Sequence, residues 1–223
     1  MNFFSRIAGL FDRAPKEQIA GYSLSELQAV FTEPLPHTTP TLPLPLRAVS
    51  LEDTGVPAYY WALLIDGSDR DSFQALIESS FTLVHERSFN ELPVRQYENA
   101  QNNQHLICFI SSREFNAVTV RLVTNSTDFL EAIQHQRFAV PPPWIAFEGY
   151  NPAWWGTQLQ GAQGYYNDQY FLPFFTGLSE AEKRAYYARY TATQEWAASL
   201  ALIGDEWEKL ADRVLRTREL PAL

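Results

Sequence analysis

Apolar and polar positions follow two different periods along the chain, and together they predict a mixed fold. Tyr59 to Ile65 is a continuous apolar run that ends at Asp66-Gly67, which is typical of a buried strand. Leu106 to Ile110 and Ala117 to Val123 predict two more strands, and alternation in the second indicates one buried and one partly wet face. Apolar residues at helical spacing predict a helix over about 70–84.

Helix starts are marked by capping residues. Ser23-Leu24-Ser25-Glu26 and Ser179-Glu180-Ala181-Glu182 both have the capping-box form, which predicts helices that run to about Phe31 and Tyr190. Ser126 or Thr127 is expected to cap a further short helix. Beyond Thr193 a stripe at helical spacing predicts a helix that packs on a core, with the residues Trp196, Leu200, Ile203, Trp207, Leu210 and Val214.

These elements predict an α+β fold with a small, mostly antiparallel sheet, helices on one face, an N-terminal helical arm and a C-terminal helical layer. The length favours a single domain over residues 1–223. Its expected parts are a helical arm at 1–33 that begins with an amphipathic helix at 3–13, a proline-rich strap at 34–46, an α/β body at 47–140, an aromatic-rich irregular segment at 141–178 and a helical layer at 179–223.

The aromatic-rich segment is the most distinctive stretch of the chain. Between Pro141 and Phe175 eleven of 35 residues are aromatic, and amides and glycines separate them. Most of these rings are expected to form core. However, adjacent residues on extended backbone point in opposite directions, so the pairs Trp154-Trp155 and Tyr165-Tyr166 cannot easily both point inward. We therefore expect Trp155 and Tyr166 to be partly exposed.

Composition narrows the range of partners. The net charge is −9 and the sequence pI is about 4.9, so the chain should repel nucleic acid and anionic membrane surfaces but attract a basic protein. No stretch reaches the roughly 18 apolar residues of a membrane span, and no signal peptide is evident, so we expect a cytoplasmic protein. The single cysteine, Cys108, lies in an apolar run and is expected to be buried and inert.

Catalytic and metal-binding motifs are weak. The acidic cluster Asp66, Asp69 and Asp71 follows a strand, where it could bind a cation, but Asp and Ser are also the residues that cap a helix. His85 and His135 could pair with Cys108 as a nucleophile, although a buried thiol favours its neutral form. Glycine-rich nucleotide motifs and GxSxG are absent. No cofactor or metal is therefore expected.

Together these patterns favour a non-enzymatic cytoplasmic protein that binds a basic protein, as a bacterial immunity-type inhibitor of a toxin or effector does. The expected contact residues are Trp154, Trp155, Tyr165, Tyr166, Glu148 and Asp168. One alternative is an enzyme or ligand-binding domain with a cleft between the sheet and the C-terminal helices, where Asp66, Asp69 and His85 or His135 would act. A second alternative is a carbohydrate-binding module, because Trp, Tyr and amide side chains also bind sugars.

Overall fold

The computed structural model describes residues 18–35, 48–156 and 158–202. The chain divides into two compact units: Met1–Glu114 with Val118–Phe138, and Phe115–Ala117 with Ala139–Leu223. This division does not test the single-domain expectation, which stays a prediction. In the described ranges no helix is both long enough and apolar enough to cross a membrane.

The first unit is built on an antiparallel sheet of six strands. Its strands are, in chain order, β3 (Val49–Ser50), β4 (Tyr59–Ile65), β5 (Thr82–Phe89), β6 (Leu92–Asn99), β7 (Gln104–Ser111) and β8 (Val118–Thr124), and they lie side by side in the order β3-β4-β8-β7-β6-β5. Strand β5 therefore forms one edge of the sheet. The predicted α+β class with an antiparallel sheet is confirmed.

Two helices pack on one face of this sheet. They are α2 (Arg70–Ser80), which follows β4, and α3 (Thr127–Gln136), which follows β8 and has Ser126 as its N-cap. Their buried faces meet alternate strand residues in one core, including Phe73, Leu122 and Leu130.

The other face of the sheet carries the N-terminal segment. A two-stranded hairpin, β1 (Gln18–Ile19) and β2 (Tyr22–Ser23), leads into α1 (Leu24–Val30), whose predicted capping box between Ser23 and Glu26 is present. The hairpin turn needs Gly21, because φ is +80° and a Cβ there would lie 2.9 Å from Phe89. Leu27 and Phe31 pack with Ile107 and Val123 of the sheet in a second core.

Three details of the sheet differ from the sequence predictions. Both faces of β8 are mostly buried, since Thr119 and Val123 are 0% exposed, so the expected partly wet face is wrong. The helix predicted to reach residue 84 ends at Ser80, and the chain continues as β5. The β5–β6 hairpin was not predicted at all, because β5 is largely exposed and lacks a clear alternation.

The second unit is helical in its described part. Its elements are α4 (Pro143–Ala146), α5 (Gly161–Tyr166), α6 (Leu172–Thr176), α7 (Glu180–Arg189) and a helix over 194–202 that we call α8. Ser179 and Glu182 form the second predicted capping box. Trp196 and Leu200 are buried, as the stripe predicted. The other stripe positions, the helix at 3–13 and most of the proline-rich strap lie outside the described residues.

Between α5 and α6 the chain forms a π-helix over Asn167–Phe171. A π-helix places one extra residue in a turn relative to an α-helix, so it changes which side chains share a face. Tyr170 and Phe171 are buried there. The segment predicted to be irregular is thus a series of short helical pieces with different pitches.

Candidate functional site: the exposed rings of the second unit

The two adjacent aromatic pairs each place one ring outside and one inside. Trp154 is 72% exposed, whereas Trp155 is 3% exposed. Trp154 ends a short 3-10 helix (Pro152–Trp154) whose N-cap Asn151 accepts from the Ala153 amide, and Trp155 then turns to extended backbone. This change of conformation sends consecutive side chains in different directions.

The tyrosine pair separates for a different reason. Tyr165 and Tyr166 are consecutive in α5, where residues are about 100° apart around the helix axis. Tyr165 is 49% exposed and Tyr166 is 0% exposed. The Tyr166 hydroxyl donates to the Pro141 carbonyl, and burial raises the pKa of this phenol well above its ordinary value.

The inner rings form a continuous aromatic core. The Trp155 ring lies 5.9 Å from Tyr166 and 6.0 Å from Trp196, and Tyr166 stacks on Phe171 at 5.8 Å. The Tyr186 hydroxyl donates to the Val140 carbonyl at 2.6 Å. Such dense ring packing holds the segment in one arrangement, so the exposed rings stand on a well-supported base.

Tyr165 is held from two sides while half of it faces solvent. Its ring is nearly parallel to that of Phe115 at 6.5 Å and meets Tyr170 edge-on at 5.7 Å. The Tyr165 and Tyr170 hydroxyls lie 3.3 Å apart. Because these contacts restrict the ring in the free protein, a partner that covered it would lose little side-chain entropy.

Both predicted carboxylates are exposed. Asp168 follows Tyr165 by three residues and accepts from the Asn167 amide at 3.3 Å. Glu148 lies beside Phe147, whose ring contacts Phe115 at 5.7 Å, and Phe115 in turn contacts Tyr165. These contacts connect Glu148, Tyr165 and Asp168 through one group of rings. The listed ring contacts among described residues do not include Trp154.

Two residues of the predicted site are therefore misplaced. Trp155 and Tyr166 were expected to be partly exposed, and both are buried, so they support the surface from below and do not face a partner. Trp154 and Tyr165 take the outward positions. We use the term exposed-ring surface for Tyr165, Glu148 and Asp168 together with Trp154.

The sequence did not indicate two neighbours of this surface. Phe115 and Asn116 lie in the loop before β8, both with positive φ, and the Asn116 side-chain amide donates to the Ile145 carbonyl at 3.0 Å. Ile145 is 38% exposed. A pattern of the type Phe-Asn in a loop of six residues is too common to single out, so this contact depended on the fold.

The residues considered for catalysis in the first unit lie apart in their roles. The Asp66 carboxylate accepts from the Ser68 amide at 2.8 Å as an N-cap. His85 is exposed on β5, and His135 Nδ1 lies 2.8 Å from the Glu131 carbonyl on α3. Cys108 is buried, and burial raises the pKa of its thiol to about 12. In the described part of the chain, no three His, Cys, Asp or Glu side chains are grouped to hold a metal.

Comparison with known proteins does not extend this picture. No known protein family, no curated protein and no solved structure matches the chain. The enzyme and carbohydrate-binding alternatives stay predictions. Function is therefore argued from the exposed-ring surface alone.

Proposed function

We propose that this protein is a non-enzymatic, cytoplasmic binding protein that recognises a basic protein through the exposed-ring surface. The observation that carries the proposal is Tyr165, which is 49% exposed although Phe115 and Tyr170 hold its ring in place. Rigid, half-exposed tyrosine and tryptophan side chains are the residues that contribute most at protein interfaces.

Charge supports the kind of partner. Glu148 and Asp168 are exposed at this surface, and the whole chain carries a net charge of −9. A partner with a lysine- or arginine-rich patch would be attracted over a distance of about a Debye length and then aligned by the two carboxylates. We propose that the partner is a toxin or effector that this protein inhibits by covering its surface, as immunity-type proteins do.

The test begins with affinity capture of the tagged wild-type protein from its native cell lysate, followed by calorimetry with the purified partner. Trp154→Ala and Tyr165→Ala should each weaken binding by about tenfold or more, because each removes a large ring from the contact. Val84→Ser is the matched control, since Val84 is 50% exposed but belongs to the first unit. It should bind as the wild type does.

The charge component has its own measurement. Glu148→Gln and Asp168→Asn should slow association at low salt and lose most of that effect at about 0.5 M salt, where exposed charges are screened. The proposal is wrong if folded Trp154→Ala and Tyr165→Ala variants bind the captured partner with unchanged affinity. It is equally wrong if no basic protein is captured at low or physiological salt.

A further inference from the structure

A groove crosses the helix-covered face of the sheet in the first unit, apart from every residue of the exposed-ring surface. Its volume is about 810 Å³. The floor comes from β6 and β7, one wall from α2, and the rim from the edge strand β5 and the start of β6. The residues that the argument uses are Asp71, Gln74 and Glu78 of the wall, Leu83 and Glu86 of the rim, and Arg95 of the floor.

The wall is acidic. Asp71, Gln74 and Glu78 are spaced by three and four residues, so they lie along one side of α2, with the two carboxylates about 10 Å apart along the axis. Gln74 lies between them, and its amide donates to Glu78 Oε1 at 2.7 Å. Within the described residues, Asp71 and Glu78 belong to no ion pair, and neither does their neighbour Arg70.

The second positive charge of the groove is already used. Arg95 Nε lies 2.7 Å from Glu86 Oε2, so this guanidinium is largely neutralised by its cross-strand partner. The lining thus holds three carboxylates and two guanidinium groups, of which one pair is internal. A cationic group has two carboxylates of α2 to meet, whereas an anionic group would meet Arg70 beside Asp71.

The rim and floor are apolar. Leu83 is 49% exposed and lies opposite Tyr97 in the β5–β6 register, so its side chain is on the groove side of the sheet. Leu92, Pro93 and Ile110 also line the groove. Covering the exposed part of Leu83 would be favourable at roughly 25 cal/mol per Å².

We propose that this groove binds an extended peptide segment in which basic and apolar side chains alternate. In such a segment, successive side chains point to opposite sides, so basic residues can face the α2 carboxylates while apolar residues cover Leu83 and the floor. Three residues of extended chain span about 10 Å, which matches the separation of Asp71 and Glu78. Sugar stacking is disfavoured, because the floor ring of Tyr97 is 2% exposed.

The experiment uses calorimetry of the full chain with three blocked, unlabelled pentapeptides. The first is Lys-Leu-Lys-Leu-Lys, the second carries Glu in place of Lys, and the third carries Ser in place of Leu. The first peptide should bind measurably, and the other two should bind at least about tenfold more weakly, because each lacks one half of the recognition.

Two adjacent leucine-like positions provide a matched pair of variants. Leu83 is 49% exposed and lines the groove, and Val84 is 50% exposed but does not line it, since the strand has a bulge between Leu83 and His85. Leu83→Ser should weaken binding of the first peptide at least about fivefold, while Val84→Ser should leave it within about twofold.

The acidic wall is tested in the same way. Glu78→Gln should weaken binding of the basic peptide, and Glu131→Gln, an exposed carboxylate of α3 outside the groove, should not. Equal losses in both variants would indicate attraction to the overall negative charge and would overturn the proposal. So would the absence of binding, or binding that Leu83→Ser leaves unchanged. Trp154→Ala changes the second unit and should have no effect here, so this result is separate from the test of the proposed function.

Discussion

The guanidinium of Arg87 lies 3.3 Å from the centre of the Tyr22 ring, and its Nη1 lies 2.6 Å from Glu26 Oε1. Arg87 is on edge strand β5, whereas Tyr22 and Glu26 belong to the hairpin and α1 on the other face of the sheet. The same guanidinium also donates to the Gly21 carbonyl. One side chain therefore fastens the N-terminal segment to the sheet edge.

Replacing this side chain should loosen the N-terminal segment. Arg87→Ala removes the cation–π contact, the ion pair and the bond to Gly21, so we expect the free energy of unfolding to fall by about 1–3 kcal/mol. Urea denaturation measures it. Arg113→Ala is the control, because its pair with Glu91 is 3.5 Å long and highly exposed and should contribute less than about 0.5 kcal/mol. Equal effects would show that Arg87 has no special role.

The Glu26 carboxyl should make stability depend on pH. Hydrogen bonds from Arg87 and then from Ser23 lower the pKa of Glu26 from 4.5 to about 2. A pKa that is lower in the folded state stabilises the protein above the unfolded pKa, and this contribution is lost as pH falls from about 4.5 to about 2. Because the carboxylate is 45% exposed, solvent screening should keep the effect small, within about 1 kcal/mol.

The variant Glu26→Gln isolates this contribution. Unfolding free energies of the wild type and the variant should differ most near pH 6 and converge as pH approaches 2. A difference that stays constant over this pH range would mean that the glutamate acts through something other than its charge.

Cys108 should be unreactive until the first unit unfolds. The thiol is buried and its pKa is about 12, against an ordinary value of 9.0, so the thiolate fraction at pH 8 is about a thousandfold smaller than for a free thiol. Because it is the chain's single cysteine, alkylation monitored by mass spectrometry reports it directly. Labelling in urea provides the unfolded reference. Rapid stoichiometric labelling of the folded protein would contradict the described burial.

Gly164 should not tolerate a side chain. A Cβ at this position of α5 would lie 2.6 Å from the Leu159 carbonyl oxygen, a backbone atom that cannot move aside easily. Gly164→Ala should therefore destabilise the protein by about 1–3 kcal/mol, although alanine normally favours a helix. Gly67→Ala is the matched control, since a Cβ there would meet nothing within 4 Å. Thermal unfolding of both variants makes the comparison.

Local patterns predicted those elements whose stabilising contacts are themselves local. The two capping boxes lie where Ser23 and Ser179 predicted them, because their hydrogen bonds join residues three positions apart. Strand β4 was evident because it is a continuous apolar run. The exposed edge strand β5 carries His85, Glu86 and Arg87, and its pairing partner β6 follows a turn at Asn90-Glu91 with positive φ at both residues, so no apolar alternation marked it.

The exposed-ring surface was predicted by composition but not by direction. Adjacency correctly implied that one ring of each pair is outside, yet it contains no information on which one. That choice depends on distant contacts, such as those of Trp155 with Trp196 and of Tyr166 with Pro141. Phe115 belongs to the same surface and comes from a loop far earlier in the chain, which no local pattern could indicate.

The π-helix over Asn167–Phe171 makes chain length as important as residue identity in this region. Deleting one residue there would favour an ordinary α-helical turn and rotate everything that follows by about 100°. Phe175, which is 2% exposed and stacks on Phe171 at 5.2 Å, would then leave the aromatic core. The extra residue thus sets the angular phase of the helices after it, so this stretch should accept substitutions more readily than a single insertion or deletion.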